Sequence, residues 1–412
     1  MVKRYLIILA TVQLALGEAD FWDLPPLEYS DAKATDPLAK LANKIGSSEQ
    51  GVDVGDDRLE LLRFLLKRLD VPESSQILVF SKTSHQNPLI HPKNPRSLFF
   101  SENTYLGYVP GGAIEVIIQD PVLGPVFYLV DGRESAELQI ERDLSNCMSC
   151  HGTARTEGVP GVLVRSVYPN ADGYPLLSLG TNHVTHETPL EERWGGYYVT
   201  GRSSIGHLGN RVYDADSSGD PEVSALRDLK ERLDTSKYPR STSDIVALMV
   251  LEHQCKMLNV LNAATLRYRR AHYLGQVLDP SGDPDLGAAG RVADGMSEKI
   301  AECLFFKNEA GLGEGVEGTE EFQMDFAKRF PRSSDGDSLA DFHLYTRLFK
   351  NRCSYMVYSE AFQNLPDRVK RPLLRKMRGV LAGRDPEFDW LSKSESRRIS
   401  KILSETLPGW AD

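Results

Sequence analysis

Two cysteines and a histidine stand together in the stretch Cys147-Met148-Ser149-Cys150-His151. This Cys-x-x-Cys-His spacing is the attachment signature of a c-type haem. Each thiol can add across one vinyl group of the porphyrin, and a tight turn that opens a helix lets both sulfurs reach the porphyrin edge. The histidine, next in the chain, can then donate a ring nitrogen to the iron as the proximal ligand. The motif therefore predicts one covalently bound haem c with its iron.

A zinc half-site and a disulfide redox motif use the same spacing of two cysteines. A zinc ribbon needs a second Cys/His pair at short spacing, and the sequence has none. A thioredoxin-like motif does not require the following histidine and belongs to a βαβ pattern, which this sequence lacks. Haem attachment is therefore the interpretation that the residues favour.

The first residues indicate export. Lys3 and Arg4 form a short basic region, and Tyr5 to Leu16 form an apolar segment of signal-peptide length, too short to span a bilayer. We expect a signal peptide at residues 1–17 and a mature chain that starts at Glu18; a retained N-terminal anchor is the alternative. Because haem c is attached outside the bacterial cytoplasm, both signals predict a periplasmic or secreted bacterial protein.

The charge of the chain bears on its partners. The 412 residues carry a formal net charge of −10 at pH 7, and loss of two lysine and arginine charges with the signal peptide makes the mature chain −12. An acidic surface disfavours nucleic acid and anionic membranes, and it favours docking to a basic redox partner. We expect no membrane span after the signal peptide is removed.

Three cysteines remain outside the motif: Cys255, Cys303 and Cys353. An odd number does not form a complete disulfide framework, although one pair is compatible with an oxidising compartment. Cys255 lies in an apolar helical stretch, which is typical of a buried thiol.

The pattern of apolar residues predicts an α+β protein. Residues 18–56 are expected to form an extended arm or linker with a short helix near 38–45, and residues 57–69 an amphipathic helix that ends before Pro72. Strands are predicted at 77–81, 104–109, 114–118 and 125–130. The short Pro-Gly and Asp-Pro turns between them predict antiparallel pairing, and thus a small β meander that leads into the haem motif.

The chain is rich in loops from residue 151 to about 209 and helical from about 243 onwards. Helices are predicted at 245–261, 292–308, 320–329, 339–350, 367–381 and 387–407. The first of these is apolar nearly all round, which predicts a buried central helix. We therefore expect a haem c-bearing α+β domain at residues 57–215 and a mostly α-helical C-terminal domain at 216–412, packed on the first.

Several blocks of the sequence resemble an uncharacterised family of exported monohaem c-type cytochromes from planctomycetes and related bacteria. The blocks are Pro95–Phe100, Tyr105–Gly112, Cys147–His151, Arg165–Pro169, Glu192–Gly201, His207–Asn210, Ser243–Gln254 and Cys353–Phe362. The similarity spans roughly residues 75–407. The chain departs from the family at Tyr197, where the family has tryptophan, and at Leu208, where it has methionine. The resemblance implies haem binding and electron transfer, without a defined reaction.

The haem pocket should contain further residues. The second ring nitrogen of His151 is expected to donate to an acceptor that fixes the ring. The turn at 158–163 is rich in Gly and Pro, so the Pro160 carbonyl, or one beside it, is the candidate; an ordinary proline turn is the alternative. Trp194 is a candidate for the pocket wall, or equally for the core of a turn.

The sixth iron ligand is open to several histidines. His207 lies on a glycine-rich loop that can approach a flat ring, and His253 lies mid-helix with methionines one turn away on either side. These two are the candidate metal ligands besides His151, although a lone histidine on an apolar face is more often a core residue. His186, beside a glutamate, is an alternative distal acid or base.

The leading hypothesis is a periplasmic cytochrome that transfers electrons. The alternative is a monohaem enzyme, similar to a peroxidase or oxidase, with an open or displaceable sixth iron site; a ligand-sensing or docking module is a third class. The length of the chain favours an enzyme, because a simple carrier needs far fewer residues. The single motif differs from dihaem peroxidases, which carry two. The sequence does not identify catalytic residues.

Acid–acetone extraction tests the attachment. The haem should stay on the protein, because thioether bonds are covalent. Cys150→Ser should lose most of the haem, or the folded protein, because one of the two attachment points is gone. Absorption spectra of the protein and of the extract measure both effects. Haem that is extracted freely from the unchanged chain would contradict covalent attachment.

Overall fold

The computed structural model describes residues 20–46, 57–131, 138–144 and 146–410. The predicted signal peptide and part of the predicted arm, residues 18–19 and 47–56, lie outside these ranges. The fold is α+β, as the sequence predicts, with antiparallel sheets in the first half and a helical C-terminal half. None of the helices in the described ranges is long and apolar enough to cross a membrane.

The strands build one large and two small sheets. They are β1 (Ile77–Val79), β2 (Arg96–Phe100), β3 (Thr104–Tyr108), β4 (Ile114–Asp120), β5 (Gly124–Asp131), β6 (Gln139–Arg142), β7 (Val164–Val167), β8 (Thr181–Val184), β9 (Tyr197–Tyr198), β10 (Gly201–Ser203), β11 (Ala225–Leu226) and β12 (Val316–Glu317). The large sheet has the order β6-β5-β4-β3-β2-β1-β9, and all its neighbours are antiparallel. The predicted meander is therefore confirmed; strand β2 lies within it, between β1 and β3, and β6 and β9 extend it at its two ends.

The helices within the described residues cover both faces of the sheet. They are α1 (Pro37–Gly46), α2 (Arg58–Arg68), α3 (Met148–His151), α4 (Ile245–Leu278), α5 (Ala288–Leu304), α6 (Glu320–Lys328), α7 (Glu360–Gln363), α8 (Asp367–Leu381) and α9 (Lys393–Thr406). Side chains alternate between the two faces of a strand. One face of the sheet, with Leu106 and Val116, packs against α1 and α2. The other face, with Ile77 and Phe100, belongs to the core that contains α4.

Helix α4 is the buried central helix that the sequence predicts. It is 34 residues long, and its first 22 residues are buried almost without interruption. The Asp244 side chain caps it by accepting from the backbone N–H groups of Val246 and Ala247. The helix continues well past residue 261, where the prediction ended, and its second half is amphipathic and only partly covered.

One predicted helix is wrong. Residues 339–350 form a hairpin-like turn, in which the backbone N–H groups of His343 and Lys350 donate to the carbonyl oxygens of Leu348 and Asp341. Phe342 and Phe349 become antiparallel bridge partners. The last helix begins at Lys393 and not near residue 387, and α5 lies four residues earlier than predicted.

The two predicted domains share their packing. Strand β10 of the first pairs with β11 and β12 of the second, and one core cluster joins Ile77, Met257 and Phe362. The side chain of Gln76, next to β1, donates to the carbonyl oxygens of Arg240 and Thr242. The halves therefore bury each other, while the domain boundary near residue 215 stays a prediction.

Truncation of one α4 side chain tests whether the halves unfold together. Leu248 is 0% exposed, so Leu248→Ala should lower the free energy of unfolding by about 2–5 kcal/mol, since it leaves a cavity in the shared core. Leu278→Ala is the control on the same helix; its side chain is 81% exposed, and the change should stay within about 0.5 kcal/mol. Far-UV circular dichroism and haem absorbance should report one denaturant transition. Two transitions, with the haem spectrum unchanged through one of them, would contradict the shared core.

Candidate functional site

The Cys-x-x-Cys-His motif forms one tight helical turn. The carbonyl oxygen of Cys147 accepts hydrogen bonds from the backbone N–H groups of Cys150, at 3.2 Å, and His151, at 2.9 Å. The Asp143 carboxylate holds the start of the turn by accepting from the N–H groups of Asn146 and Cys147. Both thiols are free. The turn thus places the three motif residues on one helical turn, with Cys150 and His151 on the cavity wall and Cys147 packed against the core that contains α1 and α2.

The two thiols differ in their surroundings. Cys150 is exposed, whereas Cys147 is half-buried. Burial, and next the carboxylate of Asp143, raise the pKa of the Cys147 thiol to about 12. This thiol is therefore protonated at neutral pH and a weak nucleophile towards oxidants or other thiols.

The His151 ring is fixed by the backbone. Its Nδ1 lies 2.8 Å from the carbonyl oxygen of Gly161, and because a carbonyl only accepts, Nδ1 carries the proton. The acceptor is thus the neighbour of Pro160, within the predicted turn. Burial lowers the pKa of His151, so the ring is neutral. Nε2 has no hydrogen-bond partner among the described residues and is the nitrogen left for a metal.

A side chain of α4 holds the acceptor in place. Asn259 accepts from the N–H of Val162 at 2.9 Å and donates to the carbonyl oxygen of the same residue at 2.7 Å. Gly161 itself donates from its N–H to the His151 carbonyl oxygen at 2.9 Å. A Cβ at Gly161 would lie 2.3 Å from Asn259 Oδ1. Only glycine fits between the imidazole and this amide.

A cavity of about 870 Å³, counted to its opening to solvent, lies between the sheet and α4. Cys150 and His151 line it, together with Leu251 and Cys255 of α4. Two residues of the motif therefore lie on the wall of an open, mostly apolar space between the sheet and α4.

The floor of the cavity is one face of the large sheet. Leu98, Gly107 and Glu115 are direct neighbours across β2, β3 and β4. A Cβ at Gly107 would lie 2.6 Å from Nη2 of Arg96. The bare backbone at this position makes room for the Arg96 guanidinium to form an ion pair with Glu115.

Two arginines on the cavity wall have donor capacity left over. Arg96 and Arg165 both line the cavity, and the Nε atom of each is buried without a hydrogen-bond partner in the described part of the chain. A guanidinium binds carboxylates strongly, and a haem carries two propionates. The donor set of the cavity therefore fits an anionic cofactor of this kind.

His207 does not reach the cavity, contrary to its role as a predicted axial ligand. Its side chain is buried, its Nδ1 accepts from the N–H of Gly209 at 3.0 Å, and its ring packs edge-on against Trp194 at 5.1 Å. Burial lowers the pKa of His207 to about 4. The glycines on either side of it are part of a turn.

His253 is a hydrogen-bonded core histidine and does not line the cavity either. Nδ1 lies 3.2 Å from Nδ1 of His186, and Nε2 lies 2.7 Å from the Ser354 hydroxyl. The ring stacks on Phe306 at 4.1 Å. Both nitrogens are thus occupied by other side chains. His186, the predicted alternative acid or base, belongs to the same buried pair.

Trp194 lies beneath the site and not in the cavity wall. Its indole N–H donates to the buried Glu252 carboxylate at 2.5 Å, and Arg193 binds the other carboxylate oxygen at 2.6 Å. Tyr197, which lies three residues further on, does line the cavity. The wall position predicted for Trp194 is therefore occupied by Tyr197.

Sequence reasoning missed the residues that the strands bring to the wall. The polar ones are Arg96, Tyr105, Glu115 and Arg165. The one local signal is an arginine that begins the apolar strand β2, where a buried charge calls for a partner or a ligand.

A scan of protein-family models found no match to this chain, and searches of curated proteins and of solved structures found none either. The resemblance to exported monohaem cytochromes therefore stays a prediction.

Asn259→Leu tests how the imidazole is positioned. The change leaves the N–H and carbonyl of Val162 unpaired, so we expect a loss of roughly 1–3 kcal/mol of unfolding free energy for each group. The haem-loaded protein should also show a shifted iron–histidine stretching frequency by resonance Raman spectroscopy, since the Gly161 acceptor loses its support.

Asn262→Leu is the matched control. Asn262 lies on the same helix and exchanges hydrogen bonds with Gln119, away from the histidine. Its loss should destabilise the fold without a shift of the iron–histidine frequency. Equal shifts in the two variants, or none in either, would contradict the positioning role of Asn259.

Proposed function

We propose that this chain is an exported monohaem c protein, in which His151 binds the iron on one side and a small ligand has access to the other. The observation that carries the proposal is the state of His151. Its Nδ1 donates to Gly161, while the ring lines the cavity beside Cys150. This is the arrangement of a proximal ligand with its tautomer fixed.

Different residues of the site would bind different parts of the haem. Cys147 and Cys150 would anchor it through thioether bonds, and the guanidinium groups of Arg96 and Arg165 would face its carboxylates. A bound haem supplies one-electron redox chemistry and, where a coordination position is free, binding of small ligands. The Gly161 carbonyl, by accepting the Nδ1 proton, makes Nε2 a more basic ligand.

The far side of the cavity favours an open iron position. Among the described residues that line it, His151 is the only histidine, and no methionine occurs. The other lining side chains that carry an oxygen or a sulfur are Thr83, Tyr105, Glu115, Cys150, Tyr197 and Cys255, and Glu115 is ion-paired with Arg96. Burial raises the pKa of Cys255 and of both tyrosines, so these groups stay protonated and are poor ligands at neutral pH. This supports the enzyme-like or ligand-binding alternative over a bis-histidine carrier.

Electron transfer is the second candidate, and one observation favours it. Cys150 is exposed, so an attached porphyrin would have one edge near the surface, where a partner protein can exchange electrons. The net charge of −10 would then favour a basic redox partner. Export to the periplasm remains part of the proposal, supported by the signal-peptide pattern and by the haem motif.

The absorption spectrum decides between an open and a closed iron. We expect a high-spin ferric protein whose ferrous form binds carbon monoxide, because no second histidine or methionine lines the cavity in the described part of the chain. His207→Ala should leave the spin state unchanged, and His253→Gln should do the same. His151→Ala is the contrast, and it should change both the spectrum and haem retention. A low-spin ferric spectrum that becomes high spin in His207→Ala would contradict the open position.

A further inference from the structure

Tyr105 lies across the cavity floor from His151. It is on β3, paired with Ile117 of β4, which is paired in turn with Phe127 of β5. The Phe127 ring contacts the His151 imidazole at 5.2 Å between centroids. Neighbouring strands are about 4.8 Å apart, so two strand spacings, about 10 Å, separate the backbones at Tyr105 and Phe127. Tyr105 thus lies two strands away from the residue that the imidazole contacts.

The buried side-chain amide of Gln254 determines whether the Tyr105 hydroxyl oxygen donates or accepts a hydrogen bond. The Nε2 of Gln254 on α4 donates to the carbonyl oxygen of Ser101 and to the Tyr105 oxygen, each at 2.7 Å. The Oε1 of Gln254 accepts from the Tyr355 hydroxyl at 2.9 Å. The Ser101 carbonyl can only accept, and this sets the orientation of the amide. Both amide hydrogens are therefore used, and the Tyr105 oxygen is an acceptor in this network.

The hydrogen of the Tyr105 hydroxyl has no acceptor among the described residues. The side chain lines the cavity, and its oxygen is already engaged on the Gln254 side. Burial raises the pKa of Tyr105 well above its usual range, so the proton is retained. A buried O–H without an acceptor is unfavourable, and the cavity is the space in which one can be supplied.

We propose that Tyr105 donates a hydrogen bond to a small anionic ligand bound at the open side of the iron, and that this bond selects anions over ligands without acceptor character. The inference rests on the proposed function and names the ligand class of the same site. Arg96, Arg165 and Glu115 also line the cavity; Glu115 is ion-paired with Arg96, so one positive charge is left over on the wall, and it favours an anion. Gln254 is a positioning residue in this arrangement, because it acts through the tyrosine.

Tyr105→Phe tests the donor in the haem-loaded full-length protein. Fluoride titrated against the ferric form should bind about ten- to a hundredfold more weakly, since a hydrogen bond to a charged group is lost. Carbon monoxide titrated against the ferrous form should bind within about twofold of the unchanged protein, and its infrared stretching frequency should rise. The phenyl ring fills the same space, so the cavity keeps its shape.

Substitutions of two other tyrosines serve as controls for Tyr105→Phe. Tyr108→Phe is the control on the same strand; Tyr108 faces the opposite side of the sheet, in the core with α1 and α2, and the change should leave fluoride affinity unaltered. Tyr197→Phe tests the other phenol of the wall and should have less effect than Tyr105→Phe. Loss of fluoride affinity in Tyr197→Phe alone, or none in Tyr105→Phe, would overturn the assignment.

The unchanged protein separates the two proposals. If it binds neither fluoride nor carbon monoxide, the open iron position is wrong and the role of Tyr105 falls with it. If it binds both, and Tyr105→Phe retains the fluoride affinity, the open position stands and only the hydrogen-bond donor is wrong.

Discussion

A polar side chain buried inside the protein must find a hydrogen-bond partner, because an unpaired one is strongly destabilising. Helix α4 carries a series of such residues in its buried half: Glu252, His253, Gln254, Asn259 and Asn262. Each is satisfied by a different part of the chain. Glu252 binds the segment before β9, and His253 binds the loop after β8 and the turn before α7. Asn262 binds the end of β4.

Two of these side chains reach the site itself. Gln254 joins β3 to the C-terminal half, and Asn259 holds the loop that fixes the motif histidine. A shift of α4 along its axis would break all of these hydrogen bonds together, whereas apolar contacts could be remade in another register. The sheet, the motif and the C-terminal half therefore take their positions from the polar groups of one helix.

Local periodicity explains which elements the sequence predicts well. Helices α2, α4 and α8 have apolar faces that repeat at helical spacing, and the meander has turn residues between β-branched runs. Residues 339–350 mislead for the same reason: Phe342 and Phe349 are seven apart, as on one helix face, but they pair across a hairpin. Strands of two residues, such as β9, have no local signal, because a partner distant in sequence defines them.

The residues of the site also differ in whether a local sequence pattern predicts them. The attachment motif and its backbone acceptor are close in sequence, so spacing alone locates them to within one residue. Which residues line the cavity depends on which face of β2 and β3 packs towards α4, and no local sequence pattern predicts that face. The sequence predicts His207 and His253 as iron ligands because the first lies on a glycine-rich loop and the second between two methionines on a helix. In the fold, a turn and a buried histidine pair account for them.

The order of these parts along the chain affects how the cavity is filled. The two thiols stand at positions 147 and 150, whereas the wall that closes over them includes Leu251 and Cys255, about a hundred residues later. A chain that emerges N-terminus first displays the motif before this wall exists. A bulky planar group can then be joined to an open surface and enclosed as α4 docks, without having to enter through the mouth of a finished cavity.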